Sequence, residues 1–152
     1  MANDLDVLRD RVALLETPAA CEQFAKNVEA NGKPEAALLA RKRAIELRAR
    51  SHGVSSAAEV EALEAVYAYE RTLFLKHGKN VRASRTWRMI KDRGVIPSVE
   101  RVVTRPGESS GYTELCKLGL QDKAFEAVVL RYPGLFSTEA IRRSKQRLQA
   151  AK

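Results

Sequence analysis

The chain has 152 residues, with 27 lysines and arginines against 19 aspartates and glutamates, a net charge of +8 at neutral pH. This length suits one domain with its own core, and no apolar run approaches the roughly 20 residues that a bilayer crossing needs. An acidic, polar start (MANDLDVLRDR) where a leader would be basic and then apolar predicts a cytoplasmic protein with no membrane partner. Cys21 and Cys116 fit a reducing compartment, as small apolar side chains. With His52 and His77 they are too scattered for a zinc site, so neither metal nor cofactor is expected. The chain also lacks CxxC, HExxH, GxSxG and phosphate-loop patterns, which weighs against the common hydrolases.

Taken in order, residues 4–16 place Leu5, Leu8, Val12 and Leu15 at helical spacing, with Asp4 and Asp6 at the favourable end of the dipole. Thr17-Pro18 predicts a capped restart, with a helix to about Ala30 burying Cys21, Phe24, Ala25 and Val28. Asn31-Gly32 ends it in a left-handed cap, and Lys33-Pro34 opens the next helix. Within the helical hairpin over residues 18–51, the stretch FAKNVEANGKPEAALLARKRAIEL resembles one tetratricopeptide repeat. Phe24, Ala25 and Val28 stand before the turn glycine Gly32, and Ala37 and Ala44 provide small residues for close helix approach. Ala49 replaces the closing proline and no second copy follows, so what the resemblance implies is a packed helical pair. Arg41, Lys42, Arg43, Arg48 and Arg50 read as a solvated helix face.

Ser56 to Glu59 is a capping box that starts a long helix to about Lys76. Its apolar residues (Val60, Leu63, Val66, Tyr67, Leu73, Phe74, Leu75) cover more than one stripe, as expected of a central helix. Glu61, Glu64 and Glu70, with Tyr67 and Tyr69, read as an acidic outer face edged by tyrosines. Further along, Arg105 to Gly111 is the longest polar loop. Short helices follow over 112–118, over 122–131 with Asp122 as cap, and over 138–150 with Ser137 as cap. The last should turn Ile141 and Leu148 inward and present Arg142, Arg143, Lys145 and Arg147 as a second basic patch. No segment shows sustained period-two alternation. The expectation is an all-α fold: a single compact domain of about eight or nine short helices spanning residues 1–152.

Charge is not spread evenly along this chain. Residues 76–105 hold nine basic and two acidic side chains, a net +7, against −2 for residues 1–75 and +3 for 106–152. Within that stretch a helix from about Ala83 to Lys91 puts Ala83, Trp87 and Ile90 on one side and Arg85 and Arg88 on the other. Trp87 is therefore expected as a core anchor. Asp92-Arg93-Gly94 turns the chain into a second helix, from about Pro97 to Thr104. Its Val99, Val102 and Val103 face inward, and Arg101 and Arg105 face outward.

Two short helices joined at a glycine and coated with arginine on one side have the dimensions of a helix-turn-helix. Arginine forks match phosphate oxygens, Ser84 can donate to them, and the helix start near Ser84 offers unpaired N–H groups to an anion. The expected function is non-catalytic nucleic-acid binding, to DNA ahead of RNA, through Lys79, Arg82, Ser84, Arg85, Arg88, Lys91, Arg93, Arg101 and Arg105. An acidic protein partner competes for the same charge. The alternatives are a protein-interaction module on the 18–51 hairpin and, behind it, a metal-dependent nuclease using the carboxylates of the central helix.

Overall fold

The structure, a computed structural model, describes residues 3–54, 56–106 and 110–150, with Ser110 by its backbone alone. The protein is all-α: the described residues form nine α-helices and two short 3-10 turns, and no strand. Among them no helix is long and apolar enough to cross a membrane. Internal contacts gather in two compact units, Met1–Gly53 and Val54–Lys152.

The first unit holds α1 (Asp4–Ala13), α2 (Pro18–Ala30) and α3 (Pro34–Arg50). Thr17 Oγ1 accepts from the Ala20 N–H at 3.1 Å, and Pro18 opens α2 without losing a bond. At the other end Gly32 takes φ +75°, which lets the Lys33 N–H reach the Val28 carbonyl at 2.9 Å and closes the turn. Small residues then set the helix separation. Ala25, Ala36, Ala37, Ala40 and Ala44 are all fully buried, and Val12 and Val28 complete the core with Leu5, Leu8, Phe24 and Leu39 at its edge. The α3 cations are more engaged than a solvated face would be. Arg41 binds Glu29 at 2.7 Å, Arg43 donates to the Leu15 carbonyl at 3.2 Å, and Arg48 lies 3.8 Å from Glu22.

The second unit is built on α4 (Ala57–His77), capped by Ser56 Oγ on the Glu59 N–H at 3.0 Å. Around it stand α5 (Ser84–Arg93), α6 (Val95–Thr104), α7 (Ser110–Lys117), α8 (Phe125–Arg131) and α9 (Thr138–Ala150). Leu63 and Val66 of α4 are buried with Val99, Val103, Leu120, Val128 and Val129. Burying Val95, Val99 and Val103 of α6 contributes on the order of 5–9 kcal/mol before entropy is charged against it. The segment is helical throughout, and its buried residues Val95, Ser98, Val99 and Val103 follow the i, i+3, i+4, i+8 spacing of one helix face, whereas a strand would send Ser98 to the side opposite the valines.

Several sequence expectations need correction. Leu75 is half exposed, and α4 fills the core instead with Ala58, Ala62, Ala65 and Ala68. Asp122 lies in a 3-10 turn (Gln121–Lys123), so α8 starts three residues later with Ala124 as its cap. The α9 residues in the core are Ala140 and Ser144, while Ile141 and Leu148 are only half-buried. Of the expected loop from Arg105 to Gly111, residues 107–109 lie outside the described residues, and α7 has already begun at Ser110.

The α5–α6 joint is made by Gly94, at φ +92° and ψ 169°. This is backbone space that only glycine enters without strain, and a Cβ there would meet Pro97 Cδ at an ordinary 3.7 Å, so conformation and not crowding sets the requirement. Gly94→Ala is expected to cost about 1–3 kcal/mol, read as a lowered denaturant midpoint. An unchanged midpoint would show that the joint has another conformation.

Candidate nucleic-acid interface

The site begins with how α5 is held. Glu70, on α4, accepts with one oxygen from both the Ala83 N–H and the Trp87 indole N–H, each at 2.8 Å. The Tyr67 and Trp87 rings sit 5.1 Å apart at a tilt of 58°. Trp87 is thus a tie to α4, and it differs from the expected core anchor in two ways. It is only half-buried, and the Arg82 guanidinium lies over its ring at 5.5 Å. The start of α5 also departs from expectation. The Glu70 carboxylate already stands at the N-cap residue Ala83, so an anion approaching there meets a negative charge.

Holding α5 by its Trp87 side turns the opposite side to solvent. No residue of α5 beyond its cap is fully buried, and Ser84, Arg85, Arg88, Lys91 and Arg93 are all exposed. Lys79 and Arg82, in the segment entering α5, are exposed, as are Arg101 and Arg105 at the outer face and end of α6. The structure therefore leaves all nine sequence-predicted residues at the surface of one unit. Ser84 keeps its hydroxyl 3.5 Å from the Arg82 carbonyl, a weak local contact.

What separates this surface from the other cations is pairing. In α9, Arg142 and Arg143 both bind Glu139, at 2.7 and 2.6 Å, and those two hydrogen bonds hold the Glu139 carboxyl down to about 2. Arg147 binds the buried Glu126 at 3.2 Å and donates to the Arg105 carbonyl at 2.9 Å. Lys123 binds Glu64 at 3.2 Å, and Arg131 binds Glu61 at 2.6 Å. By contrast, the side chains of Lys79, Arg85, Arg88, Lys91, Arg93 and Arg101 form neither an ion pair nor a hydrogen bond with any described residue. The second basic patch expected on α9 is consequently much weaker than its count of arginines suggested.

The carboxylates tell the same story from the other side. Glu61, Glu64 and Glu70 are not a free outer face. Glu64 is buried against Lys123, Glu61 accepts from the Tyr132 hydroxyl as well as Arg131, and Glu70 holds α5. The Glu61 hydrogen bond raises the Tyr132 hydroxyl above its ordinary range. Each is committed to packing, and among the described residues no cluster of three metal-ligating side chains exists. Glu100, one of only two acids in the basic stretch, is spent as well. Its oxygens accept from the Ser137 N–H at 2.8 Å and the Ser137 hydroxyl at 2.7 Å, capping α9.

These last contacts fix α6 at its middle and at its C-terminal end. Glu100 ties its middle to the start of α9, and the Arg105 carbonyl receives Arg143 and Arg147 from further along α9. Sequence patterning had no access to this clamp, since the partners lie 37 to 42 residues apart. In the first unit, a shallow groove of about 430 Å³ runs over Leu8, Phe24 and Val28, rimmed by Arg11, Asn31 and Lys33. Compared with known proteins, the chain matches no family model, no curated protein and no solved structure.

Proposed function

We propose that the second unit is a non-catalytic nucleic-acid-binding domain that grips double-helical DNA with the surface of α5, α6 and the segment before them. The observation that carries this reading is that Lys79, Arg85, Arg88, Lys91, Arg93 and Arg101 have no carboxylate partner among the described residues, on a chain whose other arginines largely have one within reach. Seven net positive charges within thirty residues repel one another, and a polyanion relieves that repulsion while releasing its own counterions. An acidic protein would relieve it too. A duplex, however, offers phosphates at regular spacing along a groove, and α5, about 15 Å long, has the dimensions to lie in one.

A titration of the intact protein against labelled duplex at two salt concentrations tests this. With five to seven phosphate contacts, log affinity should fall against log salt with a slope of about −5 to −6. No binding at roughly 50 mM salt, where such a surface is strongest, would defeat the reading.

A further inference from the structure

Resting on that reading, we infer that this surface holds a duplex by its phosphates and is indifferent to base sequence. Which side chains are left free decides this. Base edges are read by asparagine and glutamine on adenine, carboxylates on cytosine, hydroxyls more generally, and arginine on guanine. Residues 79–105 contain no glutamine and one asparagine, Asn80, which lies in the segment before α5.

Of the other polar groups that could read a base, Ser98, Thr104 and Glu100 are turned to internal duties, and Thr86 is half-buried on α5. Ser98 is buried and donates to the Gly94 carbonyl at 2.7 Å. Thr104 donates to the Glu100 carbonyl at 2.7 Å, and the Glu100 carboxylate caps α9. What faces outward is a set of lysines and arginines, with Asn80, Ser84 and Asp92 among them. Asp92 lies on the arginine side of α5, one turn after Arg88. A carboxylate among cations that meet phosphates weakens every duplex alike. Guanine is the one base for which arginine alone makes a good paired contact, so any preference left should be for guanine-rich sites.

The test uses the full chain and labelled duplexes of equal length, one all A·T, one mixed and one G·C-rich, followed by enrichment from a randomised duplex pool. Dissociation constants should agree within about tenfold, far inside the thousandfold or more that separates specific from non-specific sites. Asp92→Ala should tighten all three by a similar few-fold factor. A recovered motif bound about a thousandfold more tightly than the pool would overturn the inference and leave the proposed function standing. An Asp92→Ala effect confined to one duplex would overturn it too. Failure to bind any duplex at low salt would instead remove the proposed function, and this inference with it.

Discussion

Replacing Arg85 and Arg88 together by alanine should flatten the salt dependence of duplex binding by about two, since each phosphate contact contributes roughly 0.9 to the slope. Counterion release fades near 1 M salt, so the same change implies a loss of roughly 60-fold in affinity at about 0.1 M. Stability should barely move. Both side chains are exposed and make no contact with a described carboxylate, and surface changes of that kind stay within about 0.5 kcal/mol each. The matched control is Arg142→Ala with Lys145→Ala, which removes the same charge from α9. Arg142 is already neutralised by Glu139, so this pair should cost clearly less binding. Equal losses from both double variants would mean diffuse attraction by the whole chain, and the assignment to α5 would fail.

The contrast between those two variants was only half legible in the sequence. Local physics is written locally: Thr17-Pro18, Asn31-Gly32 and Ser56 marked helix ends within a residue or two, because a cap needs only its own few neighbours. The helical period likewise placed Arg85 and Arg88 opposite Trp87. Charge neutralisation does not have that locality. Glu64 meets Lys123 and Glu126 meets Arg147 through tertiary packing, at separations of 59 and 21 residues. A count of arginines therefore made α9 resemble α5, when α9 is largely paired and α5 is not. Glu70 was invisible for a related reason: an exposed-looking acid on a long helix gives no sign that an indole and a backbone N–H will converge on it.

Glu70→Ala should therefore be among the most damaging single changes near this surface, although Glu70 would touch no ligand. It strips two hydrogen bonds to a charged acceptor, each worth about 1.5–3 kcal/mol, and leaves the N–H of the buried residue Ala83 without its partner. The expected loss is about 3 kcal/mol, or roughly 6–12 °C in Tm for a chain of this size. Glu70→Gln keeps an acceptor in place and loses only the charge, so it should cost about 1 kcal/mol. Trp87→Ala removes a half-buried aromatic, for which about 2–3 kcal/mol is expected, below the 3–5 typical of fully buried rings. Because the two share one bond, the double variant should cost less than the sum by about 1–2 kcal/mol. Trp87 is the only tryptophan, so its fluorescence reports this tie directly, and the Glu70 variants should red-shift it as α5 loosens. If Trp87→Ala kept its Tm and lost duplex binding, the ring would be contacting nucleic acid, and its role as the tie between α4 and α5 would be wrong. Additive costs in the double variant would likewise show that Glu70 and Trp87 do not act as a pair.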